Sequence, residues 1–474
     1  MPFSSTINIV DLGFVNIFAY RLVLALVFVG LLFGGYFKAN ILKKHIPLIA
    51  FVGFMLVYAV LSNLWVENVS YSLKHTFYLI IAFVEVLVYI VLFAHVEKPI
   101  KIVSWAFLSS FVFFAIIGLV EIMTYTHIYS GFIDQLKEFS TIRPTFNSPF
   151  ASFTNPNDFA VYLVFGFVLI LFLYENAYKT ISIFTALIIL LLVYKTDSRL
   201  SMLALMIALF IYAVLKFFEN KSLVKLYWKK AAFFTFVFVA VFMFLISTNT
   251  FVKSVKTDEK GSYEFVEVDK SIEGLRFVFE KEKINFKDSV SSEGVRKNLI
   301  YNGVQFTIDS KGFGVGAGQF QEYVYKGKNK YFCNNKGNPH NFTIEVLSQY
   351  GVLAIALLIL LFSSFIWIMF KAYKRDKNIT KEIEFFMLLS LIPVYAIVSN
   401  SPSSFISHSI NWFMLFFMSY LAVEIKTKSE LKIFNDRLME KEELMLDAID
   451  NHQLEILPTE EEDINYLFKK VLGF

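Results

Sequence analysis

Long apolar runs alternate with short polar connections along almost the whole chain. A helix that crosses a bilayer needs about 20 mainly apolar residues. Runs of that kind lie near 14–37, 46–66, 76–95, 100–123, 157–174, 178–196, 200–218, 231–250, 352–370, 383–399 and 408–424. The pattern predicts an all-α polytopic membrane protein with about eleven transmembrane helices. It also predicts the domain organisation: N-terminal transmembrane helices over 1–250, a large extracytoplasmic loop with short helices over 251–351, C-terminal transmembrane helices over 352–424 and a tail over 425–474. The first run lacks the basic start and small-residue cleavage site of a signal peptide, so it is expected to stay as a span.

Charge sets the orientation. Lys38, Lys43 and Lys44, then Lys98 and Lys101, then Lys179, then the lysines at 216–230, then Lys371, Lys374, Arg375, Lys377 and Lys381 fall in every second connection. Under the positive-inside rule these connections are cytoplasmic, and 67–75, 124–156, 197–199, 251–351 and 400–407 face outside. This parity puts the tail in the cytoplasm, where residues 431–439 carry apolar and charged positions at helical spacing.

Composition narrows the class further. With 56% hydrophobic residues and a mean hydropathy of +0.57, the chain is too apolar for a soluble globular protein. A dispersed net charge of +4 excludes nucleic acid as a partner. The single cysteine, Cys333, excludes an intramolecular disulfide and any multi-cysteine metal site.

The polar constellations collect on the external side of this topology. Arg143 opens a loop rich in Pro and Asn whose last residues, Asn157 and Asp158, can cap the helix that follows. Arg199 starts a span, three residues after the preceding one ends. An arginine there can simply snorkel to the interface. Arg296 opens a helix-like stretch that runs to about Asp309. The glycines at 312, 314, 316 and 318 lack the strand–turn–helix context of a dinucleotide site and read instead as a loop of close backbone approach. Asn338, Pro339, His340 and Asn341 then lead into an apolar-faced helix that reaches Gly351.

Two of these features carry a family resemblance. Arg199 with Leu203, and His340–Asn341 followed by nine residues and Gly351, resemble the signature of the O-antigen ligase and O-antigen polymerase family. Ala354 stands where that pattern ends in Gly, Thr or Tyr, a change that touches helix packing. The resemblance implies a metal-independent, inverting integral-membrane glycosyltransferase of the bacterial cytoplasmic membrane, with its active site on the extracytoplasmic side. Its donor would be a glycan on undecaprenyl diphosphate and its acceptor a sugar hydroxyl. The resemblance implies no cofactor, and the enzyme's partners would be the bilayer and other polysaccharide export proteins.

The chemistry agrees with these roles. An undecaprenyl diphosphate is already a good leaving group, so the reaction needs its charge neutralised and the acceptor hydroxyl deprotonated. Guanidinium is planar, always charged and bidentate towards phosphate, which suits Arg199 and Arg296 to the diphosphate. A histidine titrates near neutrality, which suits His340 to the role of base. Arg143 and Asn341 are further candidate substrate contacts. Polymerisation of lipid-linked repeat units into O-antigen, capsule or exopolysaccharide is the preferred reading, with ligation to lipid A core as its alternative. A lipid-linked oligosaccharide flippase is a second alternative, disfavoured because transport calls for polar residues within the spans.

Overall fold

The computed structural model describes residues 8–11, 16–124, 148–153, 155–219, 250–256, 263–269, 292–333, 336–401 and 404–450. A short hairpin, β1 (Asn8–Asp11) and β2 (Asn16–Phe18), precedes α1 (Ala19–Phe33), α2 (Ala39–Lys43), α3 (Ile46–Ser62), α4 (Val69–His95) and α5 (Pro99–Thr124). There follow α6 (Pro156–Glu175), α7 (Lys179–Lys195) and α8 (Arg199–Glu219), then a second antiparallel hairpin, β3 (Thr250–Lys256) with β4 (Tyr263–Asp269). The remainder is α9 (Ser292–Asp309), α10 (Gln319–Tyr325), α11 (Phe342–Arg375), a 3-10 turn (Lys377–Lys381), α12 (Ile383–Val398) and α13 (Ser409–Asp450).

Among the described residues, α4, α5, α6, α8 and α11 are long and apolar enough to cross a membrane, and α1, α3 and α12 are shorter apolar helices. The chain is a polytopic helical membrane protein. Two short hairpins stand beside the helices, where β-branched and aromatic residues favour extended backbone, as in Phe251, Val252 and Val255 paired with Tyr263–Asp269. One expectation needs correction. The first apolar run does not give one helix over 14–37: it begins as strand, and α1 stops at the glycine pair 34–35. The expected span at 231–250 lies outside the described residues except for Thr250, which starts β3.

Helix α6 sits in the middle. Its apolar window is 89% buried, against 22–44% for the other four long spans, whose remaining surface is left for lipid. It packs on α5, α7, α8 and α12, while α13 packs on α4, α11 and α12. The phenylalanine richness is used in these seams: Phe93 of α4 meets Phe416 of α13 edge to face at 4.8 Å, and Tyr420 at 5.0 Å. Since α13 continues unbroken from the buried segment into Asp450, the bundle and the start of the tail share one helix.

Several helices start on asparagine. Asn68 Oδ1 accepts from Tyr71 N, Asn155 Oδ1 from Asp158 N at 3.1 Å and Asn341 Oδ1 from Ile344 N at 2.9 Å. For α6 the cap is therefore Asn155, rather than Asn157 or Asp158. Pro156 fits the first helical position because it has no N–H to satisfy, so the capping side chain has to come from the residue before it.

Helices α9 and α10 lie at the end of the bundle that carries the α3–α4 turn. Asn68 Nδ2 donates to Glu322 Oε2 at 2.9 Å, the Gln319 side chain bonds the Asn68 backbone, and the Tyr58 hydroxyl donates to Phe313 O at 2.6 Å. The glycine loop makes this docking possible. Gly314 and Gly351 both have positive φ, +86° and +80°, and a Cβ on either would collide with the other segment's backbone. Val315 N donates to Ser348 O and Val352 N to Gly312 O, both at 2.8 Å, so the loop runs beside α11 at the kink that Gly351 makes. Gly351→Ala is expected to destabilise the fold by at least about 1–3 kcal/mol from backbone strain, read as a lower Tm in detergent.

Lys326 and Lys328 of the α10 end pair with Glu67, and Lys326 also with Glu322 at 2.9 Å. Hydrogen bonds from these lysines hold the Glu67 and Glu322 carboxyls below their ordinary range. A depressed carboxylate stabilises the folded contact above its ordinary titration range and loses that contribution as pH falls through the lowered one. Acidification is therefore expected to loosen this exposed contact first, which hydrogen exchange over α10 would detect as faster amide turnover.

Candidate active site

The N-terminal end of α11 is where separate parts of the sequence meet. His340 immediately precedes the cap, with φ +50°, a left-handed conformation unusual for a residue with a Cβ. Its ring is half-buried and Nδ1 is turned into the protein. Asn341 spends its side-chain oxygen on the cap, which gives it a structural task at this position.

The connection between α12 and α13 closes over the first turn of α11. Phe342 N donates to Ser399 O at 3.1 Å. Glu345, fully buried, accepts from the Ser404 hydroxyl at 2.6 Å and from Phe405 N at 2.9 Å. The same connection reaches the start of α8: the Ser198 and Ser401 hydroxyls are 3.1 Å apart, and Ser198 also donates to Ser201 at 2.9 Å. Arg199, the first residue of α8 and exposed, is thus two hydrogen-bonded contacts away from the segment that carries His340. His408 of the same connection lies 3.6 Å from Asp158 in the first turn of α6.

Arg296 reaches this end along a different helix. Helix α9 runs in the same direction as α11, because Gly303 packs against Ile344 and, further along, Gly312 bonds Val352. Arg296 precedes Gly303 by seven residues, which is two turns and about 10 Å on the same face. Ile344 is only two residues into α11, so Arg296 lies about 7 Å beyond the start of α11 along the helix direction. Its helix is braced by Asn298 and Asn302, whose amides donate to Phe332 O at 2.7 Å and Tyr331 O at 2.8 Å, and so hold the strand of chain that leads to His340. Arg143 lies outside the described residues. The chain after it is anchored by Glu121 of α5, whose carboxylate accepts from Phe150 N and Ala151 N, both at 2.9 Å.

Sequence reasoning passed over Glu345. It stands five residues after His340 on a helix start, and a carboxylate on the buried side of an otherwise apolar turn was the available signal. Replacing it with glutamine would put an NH2 group against one of its two donors. Glu345→Gln is expected to cost about 1–3 kcal/mol through the donor left unsatisfied, measured as a fall in Tm together with faster exchange at Phe405. Carboxylates also occur inside the spans, a correction to the reading that polar groups sit only at the external face. Glu121 is accounted for by the two amides, and Glu85 of α4 is buried beside Tyr20, Arg21 and Ser409. Its neighbour Tyr20 bonds Ser409 at 2.8 Å, next to the α12–α13 connection.

Comparison with known proteins gives two matches that overlap this region. Residues 184–359, which include Arg199, Arg296, His340 and Gly351, match the O-antigen ligase family. The chain is also similar to the teichuronic acid biosynthesis protein TuaE of Bacillus subtilis (strain 168), with 26% identity over 414 residues, covering 85% of this chain and 78% of that one.

Proposed function

On the premise that this is a chain of the O-antigen ligase/polymerase family, as the domain match and the relative support, we propose that it polymerises glycan repeat units carried on undecaprenyl diphosphate. Surface polysaccharide biosynthesis by a ligase- or polymerase-type membrane enzyme is the broader assignment within which this reading falls. The observation that carries it is the junction at the start of α11, where the His340 segment, the start of α8 and the approach of α9 are tied to one end of the bundle.

In this reading the acceptor hydroxyl oxygen attacks the anomeric carbon of the donor glycan as its proton passes to His340. The carbon–oxygen bond to the diphosphate breaks, and the electron pair leaves with undecaprenyl diphosphate. Arg199 and Arg296 hold the diphosphate and neutralise the charge that grows on it. Inversion follows from a single displacement. The site would face the extracytoplasmic side, with the tail in the cytoplasm, in keeping with the distribution of lysines.

A relative named for teichuronic acid biosynthesis favours polymer synthesis over transfer to lipid A core. The deciding experiment gives purified protein a lipid-linked repeat unit alone, in one arm, and with lipid A core in the other. A ladder of lengthening lipid-linked products in the first arm supports polymerisation. Transfer only in the second would establish ligation, and movement of intact donor across vesicles with no new linkage in either arm would establish transport.

A further inference from the structure

A cavity of about 970 Å³ opens at the other end of the bundle. The 27 residues of α4 separate it from the α10 contact, about 40 Å along the helix axis, because Asn68 bonds Glu322 at one end and His95 lines the cavity at the other. It therefore belongs to neither the His340 junction nor the reading given to it. The lysines Lys38, Lys44, Lys98, Lys101 and Lys428 converge on it from the turns before and after α2, the α4–α5 turn, the first turn of α5 and α13.

The charge around the cavity is uneven. Lys428 is held by Glu382 at 2.6 Å and Glu384 at 2.8 Å, and Glu424 beside it feels both Lys428 and Lys44. Among the described residues, Lys38, Lys44, Lys98 and Lys101 have no carboxylate within ion-pair distance, and all four are exposed. Two of them sit at constrained points of the backbone: Lys98 has φ +54°, and Lys44 forms the C-cap of α2. The walls between the lysines include Ile90, Phe93, Ile100 and Phe172 together with Asn40, Asn176, Glu384 and Glu424, so the cavity sets more cations than carboxylates around a partly apolar lining. His45 closes its back, bonded through Nδ1 to the Ser419 hydroxyl at 2.8 Å.

We propose that this cavity binds a phosphate group, and specifically the phosphate head of an anionic membrane lipid. Ammonium groups are point-charge phosphate ligands, and the volume is at the upper end of the range for small-molecule sites. The apolar part of the lining suits the carbons attached to such a head, which a bare phosphate ion lacks. Because the lysines come from separate turns, a bound head would tie α2, α4, α5 and α13 together at this end.

The test uses full-length protein stripped of lipid in detergent, with phosphatidylglycerol, phosphatidylcholine and inorganic phosphate as probes, and reads bound ligand by native mass spectrometry and by Tm. Phosphatidylglycerol is expected to bind and raise Tm, and phosphatidylcholine to do neither. The combined variant Lys44→Gln, Lys98→Gln, Lys101→Gln is expected to weaken phosphatidylglycerol on the order of 100-fold, and each single change about fivefold. The single variants keep the test in hand if the triple one does not fold.

The control variant Lys371→Gln, Lys374→Gln, Lys377→Gln removes as many charges outside the cavity and should bind as the parent does. Equal losses in the two triple variants would mean general surface charge and would overturn the proposal, as would unchanged binding in the cavity variants or equal binding of phosphatidylcholine. Inorganic phosphate displacing the lipid at similar concentration would overturn the lipid assignment in favour of a soluble anion.

Discussion

Replacement of His340 by alanine is expected to abolish glycan transfer while the protein still retains its lipid-linked donor. Loss of a general base typically costs about 10² to 10⁴ in rate, and none of that cost falls on binding of a ground-state diphosphate. His340 stands before the cap of α11 rather than inside the helix, and Asn341, not His340, supplies the cap. The fold should therefore tolerate the change, and removing a side chain at φ +50° adds no strain. The measurement is product formation from lipid-linked donor, run beside donor retention on the same purified protein. Undiminished transfer by His340→Ala would falsify the assignment of base. A Tm that falls with activity would point to a structural role for the residue.

The second large effect is expected from the arginines, and it should separate from the first. Arg199→Ala and Arg296→Ala each remove a charge-assisted contact to a group already charged in the ground state, a loss of about 1.5–3 kcal/mol that appears in donor affinity, roughly 10- to 100-fold, as well as in rate. Arg199→Lys should recover only part of this, since an ammonium lacks the two-pronged geometry of guanidinium. Donor affinity equal to that of the parent protein in both alanine variants would remove the arginines from the diphosphate. Chelator belongs in every assay, because activity that disappears with it would reveal a metal that the reading assigns no part.

The spans at α4, α5, α6, α8 and α11 were legible because hydrophobicity summed over about 20 residues is a strong signal that needs no partner. The runs that became α4, α5 and α11 follow that rule closely. The hairpin over Thr250–Lys256 and Tyr263–Asp269 was not legible, since strand pairing depends on a partner that periodicity does not name. The choice of Asn155 over Asn157 as cap turned on the position of a single proline. Glu85 and Glu121 were visible as letters within spans, but only their surroundings distinguish a carboxylate that anchors two backbone amides from one beside a tyrosine and an arginine.

Read along the chain, the residues establish a membrane protein and carry the motif residues Arg199, His340 and Gly351, while the lysines supply an expectation of which connections share a side. Those properties are local or additive along the chain, so order alone preserves them. What stands beside the motif comes from helix packing. It tied the His340 segment to the start of α8 through residues 399–401, made Glu345 the clasp on that connection, and ran α9 parallel to α11 so that Arg296 approaches the same end. It also drew lysines read singly as topology signals into one cavity. Each of these is a contact between residues tens to hundreds of positions apart, fixed by the packing of helices whose exposed faces the one-dimensional pattern cannot distinguish.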